Sequence, residues 1–152
     1  MKKPICFLTF LIIILGFSSC APKKVRVYKN VEEIRSRVVE ISVSLIGKPY
    51  LFGGKGPDAF DCSGLIHYVF RSVNIALPLS TEKLIKTGME ISKENVTPGD
   101  LVFFKIQKEL HAGIMISKEE FIHASKLKGV GVDTLRSAYW AKNVIAFRSV
   151  IF

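Results

Sequence analysis

The chain changes texture near its middle, and that change limits the fold more than any single motif. Up to Gly88 the apolar residues recur at three- and four-residue steps, the mark of helices buried along one face. Ile34, Val38, Ile41 and Leu45 form one such face. Asn30 opens it as N-cap with Glu33 three residues on, and Gly47 closes it with Pro49 beyond. Leu65, Ile66, Val69, Phe70 and Val73 form a second face, running from Cys62 to near Asn74. Pro78 breaks the chain, Ser80 can cap a short helix through Leu84 and Ile85, and Gly88 stops it. After the turn signal Thr97-Pro98-Gly99-Asp100, the apolar residues come in short runs: Leu101–Phe104, Ala112–Ser117, Phe121–Ala124, Val130–Asp133 and Val144–Ile151. Leu135–Lys142 fits a helical turn between the last two. Helices first and strands second predict an α+β domain with a mostly antiparallel sheet.

Within this frame one thiol stands out. The turn-rich stretch Gly53-Gly54, Gly56-Pro57, Asp58 cannot be helical, so Cys62 falls on the first turn of the second helix. The positive end of the helix dipole favours thiolate there, the nucleophilic form. A free cysteine is otherwise most often a small buried hydrophobe. The other two cysteines have different destinies. Lys2-Lys3 precedes an eleven-residue apolar run, Ile5 to Leu15, broken only by Thr9 and too short to span a bilayer. Phe17-Ser18-Ser19 then leads to Cys20, and the whole resembles a bacterial lipoprotein signal, although Phe17 stands where an aliphatic residue is usual. That resemblance implies removal of residues 1–19, with Cys6, and a diacylglyceryl group on the Cys20 sulfur. An ordinary secretory signal cut nearby is the alternative. If the lipobox holds, Cys62 has no intramolecular disulfide partner, which in an exported protein flags a reactive thiol.

Removing residues 1–19 takes away two lysines and no acids, leaving 20 basic and 13 acidic residues, a formal +7. Export argues against nucleic acid as the partner and leaves an anionic membrane or wall. Lys23-Lys24 and Arg26, in a tether over 20–29, suit anionic headgroups or a solvated linker. Residues 30–152 form one expected domain, able to bury roughly two thirds of its unfolded surface. A monomer is expected.

Of three histidines, His111 opens one predicted strand and His123 lies inside the next, so a hairpin can bring their rings together. Thiol, base and orienting polar group are the parts of nucleophilic acyl transfer. Each histidine by itself fits a half-exposed strand residue, and His67 is expected on the solvent face of the second helix. A zinc site from Cys62, His111 and His123 is a weaker reading, because no paired-ligand spacing occurs.

Lys48-Pro49-Tyr50 with Gly53-Gly54, then Phe60-Asp61-Cys62-Ser63-Gly64-Leu65-Ile66, resemble the first signature of the NlpC/P60 family. Leu77-Pro78, Pro98-Gly99-Asp100-Leu101-Val102-Phe103-Phe104, His111-Ala112-Gly113-Ile114 and Phe121-Ile122-His123-Ala124 follow in that family's order and approximate spacing. The match runs from about Ile41 to the C-terminus and is closest to small lipoprotein members with a bare catalytic domain. It implies a papain-like fold and peptidase action on the stem peptides of bacterial peptidoglycan, without a cofactor or metal. It also implies Cys62 as nucleophile, His111 as base and His123 as the orienting residue, with Tyr50, Asp61 and Ser63 along the substrate cleft. One departure is Leu79, where family members often have arginine after Leu-Pro. The reading is a lipid-anchored peptidoglycan endopeptidase of the cell envelope, on the outer membrane and facing the periplasm if the cell is Gram-negative. Its rivals are a catalytically silent wall-binding lipoprotein and an acyltransferase on the same fold.

Overall fold

The computed structural model describes residues 30–152. The leader expected over 1–19 and the tether over 20–29, with Cys6 and Cys20, lie outside the described residues. Four α-helices are present among those described: α1 (Val31–Ser44), α2 (Cys62–Arg71) and the single turns α3 (Thr81–Leu84) and α4 (Ala138–Ala141). Six strands follow or interleave with them: β1 (Met89–Ile91), β2 (Leu101–Ile106), β3 (Glu109–Met115), β4 (Glu120–Ser125), β5 (Gly129–Thr134) and β6 (Val144–Ser149). They form one antiparallel sheet in the order β1-β6-β2-β3-β4-β5. The expected α+β, papain-like arrangement is what the chain adopts.

The uninterrupted run Leu101-Val102-Phe103-Phe104 is explained by its place in the sheet. β2 is an inner strand with both faces covered, so alternate residues enter different cores and neither set can be polar. Leu101 and Phe103 join Leu65, Ile66, Val69 and Phe70 of α2 on one face. Val102 and Phe104 join Met115, Phe121, Leu135 and Trp140 on the other. The helix layer is thus bound to the sheet through α2, whose first turn sits over the strands that carry the histidines.

β1 is the element the sequence reading lacked. Its three residues show no inward–outward alternation, and they become a strand only by pairing with β6, from Met89 opposite Ser149 to Ile91 opposite Phe147. His67 also differs from expectation. It is half-buried, and its Nδ1 lies 2.9 Å from the carbonyl oxygen of Leu77, tying α2 to the segment before α3.

Candidate active site

Asp61 builds the start of α2. Its Oδ1 accepts a hydrogen bond from the Gly64 N–H at 2.6 Å, as an N-cap does, and its Oδ2 accepts from the Gly53 N–H at 2.9 Å. Ser63 Oγ lies 2.9 Å from Asp61 Oδ1 and 2.8 Å from the Leu79 carbonyl oxygen, so its one proton ties the helix start to the α3 approach. Gly64 is needed for contact: a Cβ there would stand 1.9 Å from the Gly54 carbonyl oxygen. The Gly53-Gly54 loop therefore presses directly on the first turn of α2, with the Asp61 N–H donating to Gly54 O at 2.9 Å. In the same loop Tyr50 bridges Phe60, which sets its ring on the rim of the cleft beside Cys62.

That cleft has a volume of about 1110 Å³, and Tyr50, Asp61, Cys62, Ser63, His111 and His123 all border it. All six candidate residues of the sequence reading within the described region are brought together. Asp61 and Ser63 also bond within the protein, so they hold the start of α2 as well as bordering the cleft.

The histidines form a chain whose proton positions follow from its far end. His123 Nε2 is 2.9 Å from Asp133 Oδ2, and His123 Nδ1 is 2.7 Å from His111 Nε2. A carboxylate only accepts, so His123 donates through Nε2–H and its Nδ1 carries a lone pair. His111 must then donate through Nε2–H, and its Nδ1 is left bare as the available base. His111 is on β3, His123 on β4 and Asp133 on β5. In the β4–β5 register His123 faces Gly131 while Phe121 faces Asp133, which makes Asp133 the diagonal neighbour of His123 on one face. Among the described residues no group of three or more His, Cys, Asp or Glu side chains is arranged to hold a metal ion.

Three residues of the site were missed in the sequence: Asp133, Thr81 and Trp140. Thr81, at the start of α3, places its Oγ1 3.6 Å from the Cys62 sulfur. Trp140 stacks on His111 with ring centroids 5.8 Å apart and meets His123 edge-on at 4.9 Å. Only the diagonal position of Asp133 could have betrayed its role, and that requires the register of two strands.

Electrostatics overturn one expectation. Burial pushes the Cys62 thiol above its ordinary range, and the Asp61 carboxylate adds to the rise. The Thr81 hydroxyl and the N–H groups of Ala112 and Ser63 pull the other way without winning. Burial thus favours the neutral thiol, opposite to the direction in which the helix dipole acts. Burial, reinforced by the neighbouring His123, drives His111 down to about 3. His123 is also lowered by burial, against the pull of Asp133. Tyr50 is raised by burial and by the Cys62 sulfur, so its hydroxyl keeps its proton. The site rests as neutral thiol beside neutral imidazole.

Known proteins carry the same pattern. The NlpC/P60 family pattern matches residues 47–149. "Probable endopeptidase NlpC" of Escherichia coli is 42% identical over 101 residues, covering 64% of this chain and 66% of that protein. "Murein DD-endopeptidase MepS/Murein LD-carboxypeptidase" of Escherichia coli is 33% identical over 125 residues, covering 81% of this chain and 66% of that one. The chain therefore spans just under two thirds of the length of these relatives. A crystal structure from Staphylococcus aureus, described as similar to a lipoprotein of the NLP/P60 family, superposes with a TM-score of 0.73. It is 33% identical, over 80% of this chain and 42% of that one. With the fold, the ordered motifs and the match over residues 47–149 in agreement, this chain belongs to the NlpC/P60 family.

Proposed function

We propose that the domain is a cysteine peptidase that cuts the stem peptides of peptidoglycan, anchored by lipid on Cys20. The observation that carries the reading is the chain Asp133–His123–His111, which leaves a bare ring nitrogen of His111 in the cleft that also holds the Cys62 thiol. Cys62 Sγ attacks the scissile carbonyl carbon as its proton passes to His111 Nδ1. The carbonyl oxygen becomes an oxyanion, held by the Tyr50 hydroxyl and by the N–H of Cys62, a first-turn helix donor without an intrahelical partner. His111 returns the proton to the leaving amine and a thioacyl-enzyme remains. Water then gives a proton to His111 and attacks the thioester, and thiol and carboxylic acid are released. Tyr50 touches substrate, and Asp61 and Ser63 line the same cleft while holding the start of α2.

The family, and the endopeptidase and murein-hydrolase names of its relatives, support peptidoglycan as substrate. The lipoprotein description of the Staphylococcus aureus structure and the leader before Cys20 support the anchor. Ala21 follows Cys20, which in enteric-type envelopes suits the outer membrane. The test is incubation with purified muropeptides and mass identification of products, with radioactive fatty-acid labelling in cells. Cys62→Ala abolishes turnover and keeps the label; Cys20→Ala loses the label and keeps turnover. Turnover by Cys62→Ala refutes the nucleophile, and equal labelling of wild type and Cys20→Ala refutes the anchor.

A further inference from the structure

Two hairpin turns supply the cleft with a set of positive charges that the reaction itself does not use. Lys108, in the β2–β3 turn, and Lys126 and Lys128, in the β4–β5 turn, all line the cleft that holds Cys62. Lys126 pairs with Glu109 at 3.2 Å, but both side chains are well exposed, and such a bridge exchanges readily for another carboxylate. Lys108 and Lys128 make no ion pair among the described residues. The segment around α3 lines the cleft with Leu79 and Glu82 and offers no cation. The charge of the cleft is therefore uneven, positive at the hairpin turns.

The β4–β5 turn is held in place by backbone contacts. Val130 N–H donates to the Lys48 carbonyl oxygen at 2.8 Å, and Gly47 N–H donates to Val130 O at 2.9 Å. Gly129 has φ +72°, and a Cβ there would stand 2.3 Å from Lys48 O. The turn is thereby clamped to the segment that carries Tyr50, so the backbone bearing Lys126 and Lys128 is held beside the cleft. The field of Lys126 is felt at both Tyr50 and His111.

We propose that Lys108, Lys126 and Lys128 bind a free carboxylate of the substrate peptide at the hairpin end of the cleft, selecting acidic peptides over amidated ones. The inference rests on the peptidase reading and adds a substrate class to it. It also places the anion at the hairpin turns, since Leu79 gives the α3 approach no charge to bind it.

The test uses the full chain and two synthetic stem peptides identical except that one carries a free carboxylate beside the scissile bond and the other its carboxamide. Wild type prefers the carboxylate peptide by roughly tenfold in kcat/KM, mainly through KM, and the preference shrinks with added salt. Lys108→Met combined with Lys128→Met brings the ratio of the two peptides towards one, and adding Lys126→Met completes the loss. Lys86→Met, away from the cleft, keeps the ratio. Affinities for Cys62→Ala give a second readout that needs no turnover. Discrimination in binding without any hydrolysis by wild type refutes the peptidase reading and leaves this one standing. Hydrolysis with equal rates on both peptides, or a preference that survives the triple replacement, overturns the lysine assignment. Loss of adhesion to anionic vesicles with peptide preference intact also overturns it, and makes the rim a general surface contact.

Discussion

At the scale of single residues, the candidate site is defined by where its protons sit. Trp140, Phe104 and Phe121 wrap the two histidine rings, and burial lowers both imidazoles from the ordinary histidine value, His111 to about 3. The Cys62 thiol is raised by the same cause, so below its pKa the thiolate fraction grows with each increase in pH. Alkylation of the free enzyme by iodoacetamide therefore accelerates continuously from pH 6 to beyond 9. A flat rate between pH 5 and 8, as a preformed thiolate–imidazolium pair gives, would refute the neutral pair. Asp133 offers a second check. Asp133→Asn places an amide that can donate to His123 Nε2, which reverses the chain and puts the proton on His111 Nδ1. We expect kcat to fall on the order of 10²-fold with KM little changed, measured by steady-state kinetics. His123→Gln still accepts from His111 and retains more activity than His111→Ala.

Among the elements, α2 has the most demanding position, because its first turn must present Cys62 while touching the loop in front of it. Asp61 caps the turn, yet the Gly53 N–H and the Ser63 hydroxyl also depend on that carboxylate. Gly64→Ala would force a methyl into the Gly54 carbonyl, where backbone cannot yield as a side chain can. A loss of about 1–3 kcal/mol is expected, with a drop in kcat in whatever fraction folds, because Sγ moves with the turn. Urea unfolding and active-site titration measure the two effects separately. An alanine variant with wild-type stability and turnover would show that the loop is free to retreat.

For the molecule as a whole, one buried ion pair joins regions far apart in sequence. Arg35 of α1 donates to Asp100 Oδ1 at 2.8 Å and to Pro98 O at 3.0 Å, and also to Ser149 Oγ and Ile151 O near the C-terminus. Asp100 is 1% exposed, and its second oxygen accepts from the N–H and hydroxyl of Thr97. The Pro98-Gly99-Asp100 motif is thus a clasp between the helix layer and the sheet. Arg35→Met leaves the carboxylate buried without its counterion, and the expected loss is about 3 kcal/mol in urea unfolding. Turnover per folded molecule should stay near wild type, since the clasp is remote from the cleft. Loss of catalysis without loss of stability would contradict a purely structural clasp.

The class of fold was legible in the sequence, and so were most of the candidate residues that the fold gathers at one cleft, for reasons that are local. Periodicity marks α1 and α2 because one buried face must repeat every 3.6 residues, and the fully apolar Leu101–Phe104 marks an inner strand. Cys62, His111 and His123 were legible as candidates because their blocks keep order and spacing. Tertiary structure alone decided what depends on neighbours from other elements. β1 exists only against β6, Asp133 meets His123 only through strand register, and Trp140 reaches the rings only after α4 docks. The state of the thiol belongs with these. A helix terminus draws Cys62 towards thiolate, burial by the folded cleft pushes its pKa up, and no window of sequence contains that burial.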